Sequence, residues 1–157
     1  MTLCDMLGWG DIVEITVCGP DGKPIEIVTL KNKITTVGLN MLRDMIYAAI
    51  NDAEIKYLAW GSDNTAVSAA HTTLVAEFGR KLVTSQAAGA AGIVTTTTYI
   101  APYEANAPKV EELGWFAGVG ATGVADSGIM VGRVLYSRDK TAIESWNVVR
   151  TDTFTEV

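Results

Sequence analysis

The chain has 157 residues, 48% of them hydrophobic and 19% charged, with a formal net charge of −6. That balance suits one folded domain with a real core and excludes a disordered chain. No more than two Lys/Arg residues adjoin in sequence, so the acidic balance also excludes nucleic acid, whose phosphates demand a basic face.

Threonine, valine, alanine and glycine predominate over the Glu, Lys and Leu of long helices, which predicts mostly β structure. Residues 1–10 read as an N-terminal arm. Its apolar residues Leu3, Met6, Leu7 and Trp9 suit assembly contacts, on this domain or on a neighbour. The segment lacks the basic start and long apolar run of a signal peptide. Residues 11–157 read as a single β-rich domain. Asp11–Cys18 alternates, with Val13, Ile15 and Val17 on the apolar face of a strand. The turn Gly19-Pro-Asp-Gly-Lys-Pro24 returns the chain through Pro24–Leu30 as a hairpin. Thr36–Ile50 predicts one amphipathic helix capped by Thr36, with Leu39, Leu42, Ile46, Ala49 and Ile50 on its apolar stripe and Met45 beside it.

Glu54–Gly61 predicts the next strand, followed by a polar connector over Ser62–Thr73 and a return to the core at Leu74, Val75 and Phe78. Arg80–Gln86 and Ile93–Ile100 read as a long strand pair joined by Ala87–Gly92. The uncharged run Leu82–Tyr103 has the length of a membrane span, but its threonines, weakly hydrophobic alanines and Pro102 exclude one. Val110–Ala117 predicts a strand anchored by Trp115 and Phe116. A flexible excursion over Gly118–Gly128 follows, then strands at Ile129–Ser137 and Ile143–Phe154. With about seven or eight strands, the fold is expected to be mainly β: an antiparallel β-sandwich or partly closed barrel with one amphipathic helix.

Candidate chemistry is sparse. Gly118-Val-Gly120-Ala-Thr-Gly123 matches the dinucleotide fingerprint by letter, but a β-type run follows it instead of a phosphate-binding helix. His71 is the single histidine and reads as an exposed loop residue. Cys4 and Cys18 allow at most one disulfide, and two free thiols is the simpler expectation. Glu111 and Glu112 are adjacent, so on a strand they face opposite ways; Glu104 lies in the preceding loop, within reach of one of them. No catalytic, cofactor or metal residues are expected. Glu77 and Arg80 flank Phe78-Gly79, where a bidentate pair would lock the corner. Arg133, on an otherwise apolar strand, needs a partner if buried, with Glu77 and Glu112 the candidates.

Four pieces carry a family resemblance: Lys31–Ile46 (KNKITTVGLNMLRDMI), Ile55–Lys81, Thr96–Phe116 and Gly132–Ser137 (GRVLYS). Within them stand Leu74, Glu77 and Arg80; Glu104 and Asn106; Glu112, Gly114, Trp115 and Phe116; and Arg133. In order and spacing the stretch from Asn32 to Arg150 resembles small virion structural proteins of tailed phages, of the tail fibre and baseplate kind. His71 departs from the pattern, standing where an acidic residue is expected before Thr-x-Leu. The resemblance implies a protein that works by assembly and not by catalysis, made in the host cytoplasm and residing in the virion. Its partners would be copies of itself, as a trimer or hexamer, and other virion proteins, with no nucleic acid and no membrane. The position implied is the tail end: baseplate, collar or fibre attachment. A capsid decoration protein binding the shell as a trimer is the alternative, and a receptor- or glycan-binding module a further one.

Overall fold

The computed structural model describes residues 7–156, with Leu7 and Glu156 described by backbone alone. It is 51% strand and 7% helical, in two antiparallel sheets with one helix and no closed barrel. The strands are β1 (Leu7–Cys18), β2 (Pro24–Lys31), β3 (Lys33–Ile34), β4 (Ile55–Gly61), β5 (Glu77–Leu82), β6 (Ser85–Ala88), β7 (Ile93–Ile100), β8 (Val110–Ala117), β9 (Ile129–Arg138) and β10 (Ser145–Glu156), with helix α1 at Thr36–Ile46. One sheet has the order β2-β1-β10-β7-β6 and the other β3-β9-β8-β4-β5. The architecture is a β-sandwich, with ten strands where about seven or eight were expected.

The boundary of the N-terminal arm is corrected by strand pairing. Leu7 to Gly10 belong to β1 and pair with Glu156 to Thr153 of β10 in an unbroken register that continues to Cys18–Ser145. Trp9 stacks on Phe154 with ring centroids 5.3 Å apart. Leu3 and Met6 lie outside the described residues. The hairpin of β1 and β2 forms as expected from its turn.

The long pair expected from Arg80–Gln86 and Ile93–Ile100 is divided between the two sheets. β5 pairs with β4 in one sheet, while β6 pairs with β7 in the other. Val83 and Thr84 make the crossing, bonded through their N–H groups to Lys56 O at 2.9 Å and Thr97 O at 2.8 Å. Both sheets claim backbone partners for one continuous extended segment, so the sequence there carries no break.

The helix is shorter than expected and turned differently. Its N-cap is Thr35, not Thr36: the Thr35 hydroxyl accepts from Gly38 N–H at 3.0 Å and donates to the Met130 carbonyl. Gly38 and Met41 face inward, while Leu39 is half exposed and Ile46 is 83% exposed. The helix lies so close to β9 that a Cβ on Gly38 would stand 2.9 Å from Val131 Cα. That contact sets the rotation and overrides the wider apolar stripe. Ala48, at φ 61°, closes the helix, and Ala49 N–H reaches back to Asp44 O at 2.9 Å.

The core between the sheets is formed by Val13, Ile15, Val17, Trp146 and Val148 from one side and Leu58, Trp60, Leu113, Trp115 and Val134 from the other. A second cluster of Ala59, Leu74, Phe116, Ala121 and Met130 lies apart from it. Leu74 reaches this cluster from the connector between β4 and β5. A Cβ on Gly114 of β8 would stand 2.8 Å from Leu74 Cδ2. With chain packed on both faces, β8 is buried at almost every position instead of alternating.

Candidate functional site

Among the described residues the buried charged groups gather in five places. In one, buried Glu144 accepts from Arg138 Nε and Nη2, both at 3.0 Å, and from Trp146 Nε1 at 3.3 Å. The other four each tie one part of the chain to another. The first joins β8 to β9. Glu112 and Arg133 are both fully buried, with Arg133 Nε 2.6 Å from Glu112 Oε2. The same carboxylate accepts from the backbone N–H groups of Val75 (3.2 Å) and Ala76 (2.8 Å). Arg133 Nη1 donates to Thr65 O at 2.8 Å. One ion pair thus holds both ends of the connector onto the sheet. A glycine is required alongside it, because a Cβ on Gly61 would collide with Glu112 Oε1. Of the two carboxylates considered for Arg133, Glu112 is the partner.

His71 is half-buried beside this pair, not exposed as expected. Its Nδ1 accepts from Ser68 N–H at 3.3 Å and lies 3.4 Å from Arg133 Nη1. Glu104 does not approach Glu111 or Glu112. It pairs with Lys81 at 2.7 Å and accepts from Ala101 N–H at 2.7 Å. Glu111 pairs with Lys109 at 2.9 Å, and bonds from Lys109 and Ser137 hold its carboxyl below the usual range.

The second place is the corner at Glu77 and Arg80. The guanidinium grips Glu77 with both arms, Nε to Oε1 at 2.6 Å and Nη2 to Oε2 at 2.8 Å. Its Nη1 donates to Thr122 O at 3.0 Å and Ser127 O at 2.9 Å, and Asp126 N–H donates to Glu77 Oε2 at 3.1 Å. The guanidinium also lies 4.2 Å from the centre of the Phe116 ring. These bonds correct the expectation of a flexible excursion at Gly118–Gly128. The glycine-rich stretch is pinned to the corner, and it opens no helix.

The third place was missed in the sequence. Arg150 of β10 is fully buried between the sheets. It bonds Asp152 through Nε (2.9 Å to Oδ2) and Nη2 (2.6 Å to Oδ1), and its Nη2 lies 3.1 Å from Asp11 Oδ2. Asn32 donates to Asp11 at 2.6 Å and Trp9 to Asp152 at 2.8 Å. Burial pushes the Asp11 carboxyl up, against the opposing pull of Arg150 and Asn32. A signal was present: Asp11 shares the parity of Val13 and Ile15, and Arg150 and Asp152 share that of Trp146 and Val148. Alternation placed these charges inside.

The fourth is Lys140, 3% exposed in the connection between β9 and β10. Its Nζ donates to Pro102 O and Asn106 Oδ1, both at 3.1 Å, and to Thr141 O at 3.4 Å. Among the described residues, no group of three or more His, Cys, Asp or Glu could hold a metal ion, and no helix is long and apolar enough to cross a membrane. A cleft of about 270 Å³ is lined by Trp9, Met41, Ile55, Val94 and Phe154, with Glu54 and Asp152 among its polar groups.

Against protein-family models, curated proteins and solved structures, the chain matches nothing. Its function is therefore argued from its own residues.

Proposed function

We propose that the chain is a structural protein of a tailed-phage virion, working by assembly at the tail end as a baseplate, collar or fibre-attachment component. One observation carries the reading beyond the resemblance itself. The ionisable residues that mark the resemblance, Glu77, Arg80, Glu104, Glu112 and Arg133, are all bonded to other parts of the same chain. They fasten connectors to a sheet, which suits a rigid building block. Self-association as a trimer or hexamer belongs to the same proposal, and apolar surface is there to support it. Ile12, Ile25 and Ile27 of the β1–β2 hairpin are each more than half exposed.

The same exposed hairpin face supports the second reading, a decoration protein seated on a capsid shell as a trimer. Copy number in purified particles of the encoding phage, measured by mass spectrometry against the major capsid protein, separates the two. Roughly six to eighteen copies is the tail-end expectation, from closed rings on the particle axis. Hundreds of copies would replace it with the decoration reading, and absence from the particle would defeat both.

A further inference from the structure

Lys140 differs from the other buried cations in what surrounds it. Among the described residues it forms no ion pair within salt-bridge distance, and its three acceptors are neutral oxygens. Burial lowers the pKa of its amine from the ordinary 10.5, with the charges of Glu144 and Glu104 opposing the shift. A buried lysine of this kind has access to its nucleophilic, uncharged form.

Asn106 presents the matching electrophile. Its carboxamide is held at both ends, with Nδ2 donating to Pro102 O at 2.7 Å and Oδ1 accepting from Lys140 Nζ at 3.1 Å. The amide carbon is one C=O bond beyond that oxygen. Fixing a nucleophile beside a carbonyl in this way raises its effective concentration by orders of magnitude.

We propose that Lys140 and Asn106 become joined by an intramolecular isopeptide bond. Nζ adds to Cγ of Asn106, the Cγ–Nδ2 bond breaks, and the former side-chain nitrogen departs. Two of the three ammonium protons of Lys140 end on that nitrogen, which leaves as ammonium. Nothing is oxidised or reduced, and no co-reactant is consumed. The charges of Glu144 and Glu104 act on Lys140 from a distance, but Arg138 holds the first and Lys81 the second, so the protons pass through solvent water, which reaches the half-buried Asn106. The bond would staple the β7–β8 loop to the β9–β10 connection at one end of the sandwich, linking chain segments that serve both sheets. This inference stands apart from the assembly reading, because it concerns the isolated chain.

The test is the intact mass of the purified full-length chain after incubation at neutral and mildly alkaline pH, followed by protease mapping. The expected result is a chain lighter by one ammonia, with a branched peptide containing residues 106 and 140. Lys140→Arg should restore the full mass and remove the branch. Asn106→Asp should react with loss of water in place of ammonia, which keeps the test decisive if the arginine variant folds poorly. A wild-type chain that keeps its full mass would overturn the proposal. So would ammonia loss that persists in Lys140→Arg, because that is the mark of a succinimide at an asparagine.

Discussion

Glu112→Gln is the most informative single change in this fold. The substitution keeps the shape of the side chain and removes its charge, which leaves Arg133 as an uncompensated cation at a fully buried site. It also sets an amide NH2 among groups that can only donate: the guanidinium and the N–H groups of Val75 and Ala76. Breaking one side of a buried pair costs about 3–5 kcal/mol. For a chain of this length each kcal/mol moves Tm by roughly 2–4 °C, so a drop on the order of 10 °C is expected. Thermal and urea unfolding followed by circular dichroism would read it. Because the pair holds the connector, limited proteolysis within residues 62–76 should quicken as well. The double variant Glu112→Gln, Arg133→Met removes the stranded charge and should recover part of the loss, giving a strongly non-additive cycle. A single variant within about 1 kcal/mol of the wild type, or an additive cycle, would refute the claim that this pair locks the sheet to its connector.

Two further outcomes follow from the remaining pairs. Arg80→Ala should release the Gly118–Gly128 loop, so hydrogen exchange should rise at the amide of Asp126, which is bonded to Glu77, and at neighbouring Thr122; a rise confined to β5 would count against the pinning. Glu144→Gln tests a pH dependence. Burial by itself raises the Glu144 carboxyl, but bonds from Arg138 and Trp146 outweigh it and hold the group below its ordinary 4.5. A carboxyl lowered by folding stabilises the native state above its unfolded value, and that contribution is lost as pH falls through the folded one. The variant should therefore lose about 1.5–3 kcal/mol at neutral pH, and the gap should close below pH 4.5; a gap independent of pH would show that the Arg138 bonds do not set it.

The site was partly legible. Arg80 follows Glu77 at a strand entrance, where only a corner is available to both, and the structure pairs them. Arg133 on an apolar strand demanded a carboxylate, and Glu112 supplies it from the neighbouring strand, since Gly114 of β8 lies opposite Arg133. The Arg150 cluster was equally inscribed in strand parity but reads as surface charge unless the inner face of β10 is fixed first. Lys140 gave no signal at all, because its partners come from Pro102 and Asn106, more than thirty residues away, and are ordinary loop oxygens.

What the sequence determined on its own is local: the alternation of β1, the turn after Cys18, the β-branched run of β7 and the existence of one helix. These follow from side-chain period and turn chemistry, which act over a few residues. Tertiary structure decided what requires two distant segments to compete for one partner. It drew Leu7–Gly10 into β1 because β10 extends far enough to pair with them. It split Glu77–Ala88 between two sheets because β4 and β7 both offered free edges. It turned α1 onto Gly38 and Met41 because β9 approaches too closely for any larger residue at that position. Backbone hydrogen bonds and close packing settle such choices, and neither is written in the order of the residues that compete for them.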